Sequence, residues 1–247
     1  MKSRYKNKIA RSGVLGVAVL GLSMIAIPGV STAAASASTS STLSVPALPA
    51  AGSSMATWQS WASAQQKAMQ SMSPLAAEAP TPGCTTTSGT VVPVVSTGAA
   101  GIPAGIVTDA VVFVGNCTSS TSNTAAAGIS PLVSTYCPGM TNCNYGGVTN
   151  GYEGVGTYTY AGNPAYMASA YTYTSSGTYS AHSELGVASS GCSSGTTVAN
   201  STEQTLGTGG YVEVVWGPRT VSNTWSGTGW HYNGSGYVNL GSVCGTW

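Results

Sequence analysis

The chain has 247 residues, of which 42% are hydrophobic and only 5% charged, with a formal net charge of +1. Five of its seven basic side chains (Lys2, Arg4, Lys6, Lys8 and Arg11) precede residue 12, and beyond them Lys67 and Arg219 face six carboxylates, a net charge near −4. So few cations exclude tracking of a nucleic-acid phosphate backbone and docking on anionic lipid.

The basic start is followed by the apolar run VLGVAVLGLSMIAIPGV and by small residues ending in Ala35-Ser36-Ala37. Charged region, apolar core and A-x-A site together predict a secretory signal peptide over 1–37. The apolar core is short for a membrane anchor, and no second apolar run of spanning length follows, so no membrane association is expected after cleavage. Residues 38–82 read as a Ser/Ala/Pro-rich leader, a candidate propeptide, interrupted by TWQSWASAQQKAMQSM. There Trp58, Trp61, Ala62, Met69 and Met72 recur at steps of three and four, which predicts one short amphipathic helix over 56–72 serving as a lid on the following domain.

From residue 83 to 247 the period shifts toward two. Short β-branched or Tyr-rich runs are expected at 90–96, 105–115, 129–136, 156–162, 165–175, 177–187, 196–206, 211–217, 219–225, 229–240 and 242–247. About ten short strands with no helical pattern between them predict an all-β domain, an antiparallel β-sandwich or jelly-roll. Asn233-Gly234 between aromatic-flanked runs is the clearest hairpin signal.

All six cysteines (Cys84, Cys117, Cys137, Cys143, Cys192 and Cys244) follow the leader, as suits a disulfide framework in an oxidising compartment. Cys137 and Cys143 are near enough to close a small loop; spacing does not decide the pairing of the other four, for which 84–117 and 192–244 are the expected pairs. No C-x-x-C or Cys/His cluster points to zinc, and no cofactor is expected.

In TYSAHSELGV strand alternation sends Tyr179, Ala181, Ser183, Leu185 and Val187 to the core and His182 and Glu184 to solvent. His182 and Ser183 therefore point to opposite sides and cannot form a nucleophile–base pair. His182 with Glu184 is a loosely paired surface couple, with metal binding as the remoter alternative and His231, Glu153 or Glu213 as a third ligand. In YVEVVWG the Val/Trp side is assigned to the core, which places Glu213 beside Tyr211 on an exposed face. If the protein is an enzyme, Glu213 and Glu184 are the candidate catalytic carboxylates of a glycosidase or acid-type peptidase.

Aromatic side chains in polar strands carry more weight. Trp225, Trp230, Tyr232 and Tyr237 sit among Asn, Ser, Thr and Gly, the mixture of apolar faces and polar rims that saccharides meet on their binders. The expected function is a secreted, non-enzymatic domain acting at the cell envelope or cell wall or on extracellular polysaccharide through these rings. A carboxylate-dependent hydrolase is the first alternative, and a surface or matrix protein that self-assembles by sheet edges is the second. With few carboxylates available for protonation, the domain is also expected to tolerate acid.

Overall fold

The structure is a computed structural model that describes residues 46–72, 83–118, 136–160, 163–188, 191–192, 195–217 and 223–247, all within one compact unit spanning Ser41–Trp247. The signal-peptide segment 1–37 lies outside the described residues, as does the strand expected at 129–136 apart from Tyr136.

Helix α1 (Met55–Met72) opens the described chain. The Ser54 hydroxyl accepts a hydrogen bond from the Thr57 backbone N–H at 3.2 Å, an N-terminal cap that explains why the helix starts there. Trp58, Trp61, Ala62, Ala68, Met69 and Met72 are buried, the stripe that the sequence spacing predicts. Gln65 is buried among them. Its side chain donates to the backbone oxygens of Asp109 at 2.8 Å and Gly217 at 2.7 Å, and accepts from the Asp109 N–H at 2.9 Å. This one carboxamide satisfies three main-chain groups, each worth about 1 kcal/mol net and more if left unpaired in the interior.

Eleven strands follow: β1 (Cys84–Val95), β2 (Val107–Cys117), β3 (Met140–Val148), β4 (Gly151–Tyr160), β5 (Asn163–Tyr173), β6 (Thr178–Ala188), β7 (Gly195–Asn200), β8 (Gln204–Gly207), β9 (Gly210–Trp216), β10 (Thr224–Tyr232) and β11 (Tyr237–Thr246). They form two antiparallel sheets, one ordered β1-β2-β9-β5-β4-β3 and the other β11-β10-β6-β7, with β8 pairing β6. The all-β sandwich behind a short helix agrees with the sequence reading. The run at 196–206 divides into β7 and β8 at a break over Ser201–Glu203, and the runs expected at 229–240 and 242–247 regroup as the ends of β10 and β11. Strand β3 is an addition: MTNCNYGGV shows no apolar alternation.

Between the sheets lies the main core, built from Val112, Val155, Met167, Tyr171, Leu185, Val212, Val214, Trp216 and Trp225 among others. A second apolar layer covers the far side of the larger sheet, where Met69 and Met72 of α1 join Val111, Phe113, Tyr158, Tyr166, Tyr211 and Val215. Alternation along β9 feeds both, with Val212, Val214 and Trp216 facing the main core and Tyr211 and Val215 the second layer. At about 1.5–3 kcal/mol per fully buried large apolar side chain, these layers are the chief source of stability.

The disulfides are Cys84–Cys117, Cys137–Cys143 and Cys192–Cys244, the three expected pairs. Cys84 and Cys117 stand opposite each other in the β1–β2 register, and Cys192–Cys244 ties the segment after β6 to β11.

Candidate functional site

The site lies on the outer face of the smaller sheet, where register sets Trp230 of β10 opposite His182 of β6. A bulge at Gly229/Trp230 re-aims the end of β10, after which Trp230 pairs Asn239 and Tyr232 pairs Tyr237. The β10–β11 turn closes at Asn233–Gly236. The Asn233 N–H donates to the Gly236 carbonyl at 3.0 Å, and the Asn233 side-chain oxygen accepts from the Ser235 N–H, the Ser235 hydroxyl and the Gly236 N–H at 2.9–3.1 Å. Gly234 takes φ 93°, the left-handed region that disfavours other residues. This turn holds Tyr232 and Tyr237 with ring centroids 5.3 Å apart, 46% and 56% exposed.

The opposite wall comes from the connection between β7 and β8. The Ser201 N–H donates to the Ser183 carbonyl, and the Ser183 N–H donates to the Ser201 hydroxyl, both at 2.9 Å. That clasp swings Glu203 toward β6, and its Oε2 lies 3.0 Å from His182 Nδ1. Glu184 accepts a hydrogen bond from the Thr197 hydroxyl at 2.8 Å. The Tyr237 ring meets His182 edge-on at 4.8 Å, and Trp230 lies parallel to it at 6.4 Å. Together His182, Glu184, Asn200, Ser201, Thr202, Glu203, Trp230 and Tyr237 line a cleft of about 490 Å³. Two polar atoms of its lining residues, Glu203 Oε1 and Trp230 Nε1, are buried with no hydrogen-bond partner among the described residues.

Of the four aromatic residues singled out by sequence, Trp230 and Tyr237 line this cleft and Tyr232 adjoins Tyr237. Trp225 does not belong with them. It is 0% exposed and packs in the main core against Trp216, with centroids 6.1 Å apart. The reason is that β10 runs between β6 and β11, and its neighbours Ser226, Gly227 and Thr228 are small enough to be buried despite being polar.

Two further expectations are corrected. His182 is not a solvent-facing side chain: Trp230, Tyr237 and Glu203 enclose it until it is 9% exposed. Glu213 is not on an exposed face. It is 2% exposed, on the side of β9 that carries the second apolar layer, and burial raises its carboxyl well above the usual carboxylate range. Glu213 and Glu184 therefore stand on different sheets and share no cleft. The carboxylate that does share a cleft with Glu184 is Glu203, which a polar segment without periodicity gives no means of selecting. His182, Glu184 and Glu203 form no group able to hold a metal ion, nor does any other set of three or more His, Cys, Asp or Glu among the described residues.

Behind the cleft, on the inner face of β6, is a polar cluster that sequence reasoning does not assemble. Glu153 of β4 is fully buried, and its Oε1 accepts hydrogen bonds from the Ser169 and Ser183 hydroxyls at 2.7 Å each. Its Oε2 has no hydrogen-bond partner among the described residues. Desolvation pushes this carboxyl up to about 8, against the partial opposing effect of the two serine hydrogen bonds. Space for it comes from Gly227 of β10, where a Cβ would fall 2.6 Å from Ser169 Oγ and 3.0 Å from Glu153 Oε1. The signal is present in the sequence as a lone Glu in the glycine-rich GYEGVG, on the same side as Val155.

Compared with protein-family models, with characterised proteins and with solved structures, the chain matches none of them.

Proposed function

We propose that the protein is an exported binding domain that takes a segment of extracellular or cell-envelope polysaccharide into the cleft between the β7–β8 connection and the β10–β11 hairpin. The observation that carries this reading is the convergence of the Trp230 and Tyr237 rings with Asn200, Ser201 and Thr202 around a cavity of about 490 Å³. That size falls in the usual range for small-ligand sites, roughly 300–1,000 Å³. Rings of this kind stack on the apolar faces of sugars while the surrounding hydroxyl and amide groups bond their rims. Three disulfides support export to an oxidising compartment, and no helix among the described residues is long and apolar enough to cross a membrane.

The test is sedimentation of the purified domain with insoluble cellulose, chitin and peptidoglycan. At least one should carry it down, and Trp230→Ala and Tyr237→Ala should each weaken retention by about tenfold or more with an unchanged melting temperature. A domain that stays in the supernatant with every polymer and binds no soluble oligosaccharide is not a glycan binder.

One observation favours a second reading, a glycoside hydrolase: Glu184 and Glu203 line the same cleft, and paired carboxylates across a bound sugar are the machinery of that reaction. Release of reducing ends from the retained polymer, abolished in Glu184→Gln or Glu203→Gln, would establish it. Retention without release leaves the binding reading.

A further inference from the structure

We infer that, on the glycan-binding reading, the saccharide the cleft prefers carries free amino groups, with an ammonium held between Glu184 and Glu203 against the Trp230 and Tyr237 rings. The charges lining the cleft are Glu184, Glu203 and His182, and no Lys or Arg among the described residues lines it. His182 lies against Glu203 at 3.0 Å, whereas Glu184 receives only the neutral hydroxyl of Thr197. Two carboxylates thus face at most one imidazolium, and one negative charge always lacks a counter-charge within the cleft. An anionic polymer of uronate or phosphate is repelled by that excess. A neutral polymer must cover a carboxylate without compensating it, which costs free energy.

An ammonium resolves the mismatch, because its N–H groups make charge-assisted hydrogen bonds to carboxylates and its charge is attracted to aromatic faces. The cleft holds the groups for both. Trp230 and Tyr237 supply the faces, and Glu184 and Glu203 supply the carboxylates. An amino sugar carries that ammonium beside an apolar ring face that can stack on the aromatic side chains.

The experiment is equilibrium binding of the intact domain, at about pH 6 where ordinary carboxylates are ionised, to three soluble oligosaccharides of equal length: β-linked glucosamine, its N-acetylated counterpart and a uronic acid oligomer. The glucosamine oligomer should bind about tenfold or more tighter than the acetylated one, which corresponds to one extra paired charge. Its advantage should shrink in about 1 M salt, where screening reaches only about 3 Å. Glu184→Gln and Glu203→Gln keep the side-chain shape, and each should remove most of the preference, read as the ratio of the two affinities measured on the same variant. Equal or tighter binding of the acetylated or uronate oligomer overturns the inference and leaves the glycan reading intact. So does a preference that survives in the double Gln variant. Binding of none of the three oligomers, together with no retention on the insoluble polymers, removes both.

Discussion

His182 and Ser183 are consecutive residues of one strand, yet they border two carboxylate environments that behave in opposite ways. On the inner face Ser183 meets Glu153, which is sealed between the sheets with two serine hydroxyls and no counter-charge among its partners. On the outer face His182 meets Glu203 in a cleft that opens to solvent beside exposed tyrosines. A sealed carboxyl is driven to its neutral form and acts on stability, whereas one at an open cleft keeps water, a histidine and a ligand as options. A strand places such sites about 3 Å apart along its axis but on opposite sides, so their energetics can be separated by substitution.

The largest effect that separates them is with pH. Folding holds Glu153 protonated up to about 8, from an ordinary value of 4.5, and Glu213 moves in the same direction. A raised value means that the stabilisation is fully present below the unfolded-state value and is lost as pH climbs through the folded-state one. The domain should therefore be most stable in mild acid and lose several kcal/mol by about pH 9, because each pH unit between the unfolded and folded values is worth about 1.4 kcal/mol. Urea midpoints from about pH 4 to about pH 9 would show this, and Glu153→Gln, which keeps the serine bonds, should flatten much of the slope without altering ligand retention. A profile that is level in the parent protein, or as steep in Glu153→Gln and Glu213→Gln combined, would refute the contrast. Charge poverty predicts tolerance of acid, and the buried carboxyls predict a preference for it.

A smaller effect comes from Gly227→Ala, whose added methyl group meets Ser169 and Glu153. Overpacking of that kind costs about 1–3 kcal/mol, seen as a lowered melting temperature with glycan retention unchanged. Coupled loss of retention would mean that the inner cluster and the outer cleft are not independent. The smallest is expected at the cleft itself. Its His182–Glu203 pair is partly solvated, so Glu203→Gln should move stability by no more than about 1 kcal/mol, while the amine preference collapses. A double-mutant cycle with His182→Gln would isolate the pair.

How much of the molecule is readable from sequence follows from locality. Strand alternation correctly separates Ser183 from His182 and places Val212, Val214 and Trp216 in the core, because a period of two survives any tertiary context. Helix α1 is legible for the same reason at its own period. The pairing of Tyr232 with Tyr237 needs only one turn. What escapes depends on partners distant in sequence. Glu203 reaches His182 only through the Ser183–Ser201 clasp, and Glu153 is buried because β6 and β10 of the other sheet pass over it. Trp225 misleads because Gly, Ser and Thr look like a surface in one dimension, whereas in a central strand their small size allows close packing.

The Gln65 contacts bear on what loss of α1 would cost the domain. A protease that released α1 would strip the Asp109 N–H and the Asp109 and Gly217 carbonyls of their partner and uncover the apolar layer around Val111 and Phe113. The helix is thus packed into the folded domain, and its removal would cost both hydrogen bonds and apolar burial. The Pro46 carbonyl accepts the Trp61 indole N–H at 3.3 Å, so the segment before the helix is tied to it as well.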